Sequence, residues 1–302
     1  MTRFAEPIFV GGLSHSGKTQ LRLTLDAIPT LSFTRRTELW TRVYNRYGDL
    51  GESDNLTRCL TAMSAIKGVA ALEADFEALR SEFSEGSASY PRLIRLFHEQ
   101  IAARRGKSRW GDQSKFMERY APVIMDAYPN ARMIHMVRDP RSLRAAHSGL
   151  TSSRPGALGW NTARWVASMD AARDNSRRFG GRYLVIRYED LVTDGEDVVG
   201  RVCDFLMEEV PASLNELISS IRFDVPSEVG LRPRQAGRST ARRSQSSDRF
   251  VSMHAGNLLV EHGYQNVSDQ PSPTERARFA VTWPVERASM VAWRVLNRRA
   301  QR

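Results

Sequence analysis

Pro7-Ile8-Phe9-Val10-Gly11-Gly12-Leu13-Ser14-His15-Ser16-Gly17-Lys18-Thr19-Gln20-Leu21-Arg22-Leu23-Thr24-Leu25 is the stretch on which the fold turns. Its apolar opening ends in two glycines and reads as a buried strand leaving a sheet. Its close carries helix formers, with Leu21 and Leu25 one turn apart. Between them, Gly12 to Thr19 fits G-x-x-x-x-G-K-[ST] at every fixed position. Glycines let backbone N–H groups turn toward an anion, and the helix N-terminus adds partial positive charge. Lys18 supplies a full charge and Thr19 a hydroxyl. A phosphate-binding loop set between strand and helix predicts the start of an α/β sheet.

Outward from this loop, residues 36–48 and 53–83 read as helices, with Asp49 to Glu52 as a break. A helix over 90–105 opens at Pro91, and another over 112–128 stops at Tyr128-Pro129-Asn130. Arg132 to Val137 reads as a buried strand ending at Arg138-Asp139-Pro140. A loop over 151–159, a helix from Trp160 to Phe179 and a strand from Tyr183 to Arg187 follow. Helices alternating with short apolar strands predict a P-loop nucleotide-binding-like α/β fold, a central parallel sheet flanked by helices. Residues 230–250 carry six arginines against Asp248 and read as a loop, and residues 250–262 regain helical periodicity. A basic amphipathic helix is expected over 285–300. The expected division is an α/β domain over 1–268 and a helical extension over 269–302.

The 302 residues are 41% hydrophobic and 26% charged, which excludes collagen-like, low-complexity and wholly disordered classes. No apolar run reaches the about 18 residues of a membrane-spanning helix. Cys59 and Cys203 are far apart and outside any C-x-x-C pattern, against a disulfide scaffold or a cysteine-rich zinc site. The basic-then-apolar layout of a secretory leader is not seen around Glu6-Pro7, so a reducing cytoplasm is the expectation. Lys and Arg number 44 against 34 acids, a net charge of +10 that favours anionic partners.

The loop alone would fit a kinase or NTPase using ATP and Mg²⁺, which normally adds an acidic ligand at the end of another apolar strand. Asp139 holds that place, but Arg138 and Pro140 flank it, an awkward setting for a cation ligand. Three ordered motifs point elsewhere: His15-Ser16-Gly17-Lys18-Thr19, Arg138-Asp139-Pro140-Arg141 and Tyr188-Glu189-Asp190-Leu191. With Asp204-Phe205-Leu206 and His262-Gly263-Tyr264 they resemble the sulfotransferases that use 3′-phosphoadenosine 5′-phosphosulfate (PAPS), over residues 6–265. The resemblance implies a metal-free enzyme with PAPS as co-substrate. Ser14, His15, Ser16, Gly17, Lys18 and Thr19 would hold the 5′-phosphosulfate, and Arg138 the 3′-phosphate. It departs from the family at His15, where a Lys or Arg is usual, and at Gln113-Ser114-Lys115, where Lys-Thr-Pro is usual. It departs also at Ala146, where a 3′-phosphate serine is usual, leaving Ser148, Ser142 or loss of that contact as the alternatives.

Sulfuryl transfer needs cations and dipoles on the leaving phosphate and a base for the acceptor proton. Lys18 is the leaving-group stabiliser, with His15 assisting. Leu31 to Thr34 reads as a second strand, and Glu38, one turn beyond it, is the first candidate base; a plain helix-start charge is its other reading. Asp112, read as a helix-start residue, is the second candidate. Arg35 and Arg36 are candidates for binding donor sulfate or an anionic acceptor. Tyr188 is expected on adenine or ribose, or as a packed strand-end ring. The resemblance places Arg238, Arg242 and Arg243 in a late basic segment over the 3′-phosphate. The acceptor, a hydroxyl or amine and one that the arginines tilt toward an anionic molecule, is not legible, nor is the oligomeric state. No nucleic-acid recognition motif is visible. For the helix over 285–300, docking on the domain, membrane-surface contact and self-association all stay open.

Overall fold

The computed structural model describes residues 5–146, 155–210, 245–266 and 272–300. Five strands form one parallel sheet: β1 (Ala5–Gly12), β2 (Leu31–Arg35), β3 (Arg109–Gln113), β4 (Arg132–Val137) and β5 (Tyr183–Arg187), in the order β2-β3-β1-β4-β5. Phe9 pairs with Asp112 on one side and Met133 on the other, and Gly12 with Met136. Thr34 pairs with Asp112 and Arg35 with Gln113, so the strand ends share one edge. Side chains along β1 alternate between two cores. Ile8 and Val10 join Phe33, Ile134, Met136 and Ile186 under α1 (Lys18–Asp26), α10 (Tyr188–Thr193) and α11 (Gly195–Leu206). Phe9 joins Trp110, Met133 and Tyr183 on the other face. That face is covered by α2 (Leu39–Arg42), α3 (Ser53–Ser64), α4 (Lys67–Ala70), α5 (Phe76–Ser84), α6 (Tyr90–Arg104) and α7 (Ala121–Ala127). There Phe9 meets Trp110 edge-on at 5.6 Å and stacks on Tyr128 at 5.9 Å, gains of order 0.5–1.5 kcal/mol each beyond area burial.

β2 lies at the rim of the sheet, yet the outer backbone groups of its central residue, Phe33, are taken. Asp26 Oδ1 accepts the Phe33 N–H at 2.7 Å, and Arg105 donates to the Phe33 carbonyl at 3.1 Å.

The described chain divides into two units. The first holds residues 5–136 and 172–210 and carries most of the sheet. The second holds residues 137–146, 155–171, 245–266 and 272–300. It contains α8 (Pro140–Ala146), the start of α9 (Ala157–Phe179), α12 (Gln245–Glu261) and α13 (Pro273–Ala300). Its core is Ala163, Phe250, Phe279, Trp283, Met290 and Trp293. The boundary expected at residues 268 and 269 lies outside the described residues.

Several expected helices differ from those observed. Residues 36–48 form only the short α2, because Arg36, Glu38 and Asn45 take left-handed φ of 55°, 52° and 57°. The span 53–83 is three helices, broken before α4, where Ile66 takes an extended backbone; within α4, Gly68 comes so close to the β2–α2 turn that a Cβ would lie 2.1 Å from the Arg36 carbonyl oxygen. Residues 112–128 do not form one helix: β3 occupies Arg109–Gln113 and a 3₁₀ turn Met117–Arg119 precedes α7. Asp112 is thus a strand residue rather than a helix start. α12 begins at Gln245, inside the stretch read as a loop, and α13 runs from Pro273 with Pro284 within it, twelve residues earlier than expected.

Candidate functional site

Ligands of open α/β sheets sit beyond the carboxyl ends of the strands, where the strand order reverses. Here β1 lies between β3 and β4, and the loop after Gly12 leaves from that edge. Gly12, His15 and Gly17 take positive φ of 117°, 66° and 90°, which folds Leu13 to Ser16 into a tight turn over the start of α1. For His15 the left-handed backbone costs about 1–2 kcal/mol, a strain kept in the loop itself. Ser16 is buried; its backbone N–H and its Oγ both donate to the Leu13 carbonyl, at 3.3 and 2.8 Å. Lys18 is buried too. Its Nζ donates to the Gly12 carbonyl at 2.6 Å and to that of Leu13, so the ammonium is held inside the turn. Ser14, His15 and Thr19 are half-buried around it.

Tyr188 is the first residue of α10, directly after β5. Its ring lies against Gly17: a Cβ there would be 2.4 Å from Tyr188 Cδ2. Gly17 therefore serves twice, for its φ and for the ring. Tyr188 is expected on adenine or ribose or as a packed strand-end ring; the structure packs that ring on Gly17, the last glycine of the loop after β1.

Beneath the loop is a buried polar group that the sequence reading missed. Glu118 Oε2 accepts the Gly12 N–H at 2.9 Å. Burial pushes its carboxyl upward, but the charge of His135, the N–H groups of Gly12 and Glu118 and the Lys18 ammonium outweigh that and hold it below its ordinary value. His135 on β4 meets Tyr183 Oη at 2.8 Å, and Asn175 Nδ2 donates to that oxygen and to the Glu118 carbonyl. Glu118 follows a strand, β3, with no apolar alternation, which left it without a sequence signal.

Glu38 caps α2 with a left-handed backbone, and its carboxylate is 3.6 Å from Arg42, partly open to solvent. Its N–H donates to Ser114 Oγ at 3.1 Å. Ser114 in turn donates to Asp112, which also accepts from Thr34 at 3.1 Å and Thr37 at 2.9 Å. Asp112 is fully buried. Burial raises its carboxyl to about 6, against the opposing hydrogen bonds from Thr37, Thr34 and Ser114. Arg35 and Arg36 are exposed on the same β2–α2 turn.

In the second unit, the Arg138 carbonyl accepts from Trp165 Nε1 at 2.9 Å, fixing the backbone just past β4. Asp139 is held by the guanidinium of Arg141 through both carboxylate oxygens, at 2.8–3.1 Å, and by the Arg141 N–H at 2.8 Å. It caps α8 rather than standing ready for a cation. Ser142, one alternative for the 3′-phosphate, lies in the first turn of α8, where its N–H donates to the Asp139 carbonyl. Ser148, Arg238, Arg242 and Arg243 lie outside the described residues.

The sulfotransferase family model matches residues 7–212. Over 219 residues the chain is 26% identical to a putative protein-tyrosine sulfotransferase of Caenorhabditis briggsae, covering 68% of this chain and 67% of the relative. The fold is shared with the sulfotransferase domain of the Synechococcus PCC 7002 olefin synthase: TM-score 0.59, 22% identity, 89% of this chain and 97% of the other. It is shared also with mouse sulfotransferase SULT7A1 complexed with PAP: TM-score 0.51, 13% identity, 90% and 86% covered.

Proposed function

Because the chain belongs to the sulfotransferase family, we propose that the loop from Gly12 to Thr19 receives the phosphosulfate end of PAPS, and that a hydroxyl or amine acceptor takes the sulfuryl group at this sheet edge. The single observation carrying the placement is the turned loop with a buried lysine folded into it at the N-terminus of α1. Backbone dipoles and one ammonium then face the phosphate on which charge accumulates. The PAP held by a mouse sulfotransferase of the same fold supports the donor.

In this reading an acceptor oxygen forms the new bond to sulfur as the bridge from sulfur to the 5′-phosphate oxygen breaks. Lys18 and the loop N–H groups meet the charge left on that phosphate. Glu38 takes the acceptor proton, being the carboxylate of the β2–α2 turn that reaches solvent. Asp112 is sealed and ringed by hydroxyls. It holds the turn through Thr37 and through Ser114, which accepts the Glu38 N–H. Arg138 binds the 3′-phosphate, and Tyr188 braces the loop from the α10 side. The reading calls for no metal. Transfer from ATP with Mg²⁺ is not favoured, since the carboxylate expected for the metal is engaged by Arg141.

The relative's name supports a tyrosyl phenol as the first acceptor to try. The buried free thiols Cys59 and Cys203 support a reducing compartment such as the cytoplasm. Titration calorimetry tests the donor. Adenosine 3′,5′-bisphosphate is expected to bind more tightly than ATP with Mg²⁺; the reverse order overturns the assignment.

A further inference from the structure

α13 carries two apolar faces. Phe279, Trp283, Met290 and Trp293 recur at i, i+4, i+11 and i+14 and are buried in the second unit's core. Val281, Val285, Ala292 and Val295 repeat that spacing two residues later. Two residues turn an α-helix by about 200°, so the second row lies opposite the first. Ala288 falls on the same row, at i+7. This row is exposed, from 47% at Val295 to 77% at Val281, with Leu296 and Val291 exposed beside it. Val281, Val285, Ala288, Ala292 and Val295, exposed at successive turns of one helix, form an apolar stripe, which scattered surface residues do not.

Charge identifies the occupant. α13 holds six arginines against Glu275 and Glu286, and Glu286 is already engaged by the N–H groups of Gly156 and Gly159 at 3.0 and 2.7 Å. Arg276, Arg287 and Arg294 are exposed on one side of the helix between the valine row and the buried row, with Arg287 over the Trp283 ring at 5.8 Å. A second copy would set arginine against arginine. Residues 211–244 of the same chain are basic as well, and the whole chain carries +10. The complement must be apolar in its depth and anionic at its rim.

We propose that α13 seats the protein on an anionic lipid surface, its valine row dipping among the acyl chains and its arginine flank reaching the headgroups. Arginines beside an apolar row lay their aliphatic stems along it and reach the phosphate level with their charged heads. No helix among the described residues is long and apolar enough to cross a membrane, so attachment would be at the surface. This is independent of the catalytic reading: it uses no residue placed in the loop or the β2–α2 turn.

The test is co-sedimentation of the full chain with vesicles of phosphatidylcholine alone or mixed with phosphatidylserine. Binding to the mixed vesicles is expected to exceed that to neutral ones by about tenfold or more at low salt and to fall at high salt. The double variant Val285→Asp/Val295→Asp, altered only at exposed positions, is expected to lose about tenfold of that binding while keeping its thermal midpoint and transfer activity. Arg287→Gln/Arg294→Gln is expected to lose the preference for phosphatidylserine. Equal partition to both vesicles, or none, overturns the proposal. So does a dimer in solution that the valine variants dissociate, since the stripe would then belong to a second copy.

Discussion

Asp112 and His98 meet through a single hydroxyl: Thr34 Oγ1 lies 3.1 Å from Asp112 Oδ1 and 3.2 Å from His98 Nδ1. Both ionisable groups are sealed from solvent, and His98 also stacks on Trp110 at 4.6 Å. Burial drives them the same way, toward the uncharged form. It raises the Asp112 carboxyl to about 6 and lowers the His98 imidazole to about 3.

The two groups therefore tilt stability in opposite directions with pH. Between its ordinary 3.8 and about 6, Asp112 gives up its proton in the unfolded chain before it does in the folded one. Its contribution weakens as pH rises through that window. His98 is protonated only in the unfolded chain between about 3 and its ordinary 6.5, so its contribution is lost as pH falls. Each slope is about 1.4 kcal/mol per pH unit at most, and where the windows overlap they cancel. Where the windows overlap, the pair is expected to add no net slope to denaturant unfolding of the parent; relative to the parent, stability is expected to rise with pH in Asp112→Asn and to fall with pH in His98→Gln. Parallel curves for all three would remove the linkage.

Gly17→Ala places a methyl 2.4 Å from the Tyr188 ring on a backbone with φ of 90°. A loss of about 1–3 kcal/mol in stability is expected, with weakened adenosine bisphosphate binding. Adding Tyr188→Ala should restore the steric part and leave the backbone part. A double-mutant cycle measures the coupling, and strict additivity would mean that the ring does not bear on the loop.

Lys18→Ala removes the ammonium from the loop and is expected to slow transfer about 10²–10³-fold. Calorimetry with adenosine 3′,5′-bisphosphate should still register binding, because the backbone dipoles remain. Transfer at the parental rate would end the assignment of Lys18.

Glu38→Gln keeps the left-handed cap and its hydrogen bond to Ser114 while removing the base. Steady-state kinetics are expected to show kcat reduced about 10²–10⁴-fold with little change in donor affinity. An unchanged kcat would move the role of base elsewhere.

The turn from β1 into α1 was legible because it is written in residue type: glycines at turning points, then a lysine and a threonine at a helix start. β1, β4 and β5 were legible as apolar runs with clear stops. β3 was not, since Trp110-Gly111-Asp112-Gln113 has neither alternation nor β-branched residues. It is a strand because its neighbours on both sides pair with it and because Thr34, Thr37 and Ser114 satisfy its buried carboxylate. The missed strand is also why Asp112 was assigned to a helix start and Glu118 to no role. The β2–α2 turn escaped for a different reason. Arg36 and Glu38 are ordinary helix formers held left-handed by tertiary contacts, one of them the close approach of Gly68, which no local propensity encodes.

Asp26 and Arg105, by occupying the Phe33 N–H and carbonyl, also decide how this protein behaves in a crowd. A bare rim strand is a template on which another chain's strand can zip, the first step toward fibres. With its central residue capped by a carboxylate and a guanidinium, the β2 rim is a poorer template for another chain. An Asp26→Ala chain should therefore remain an enzyme while becoming prone to form thioflavin-positive precipitate on concentration.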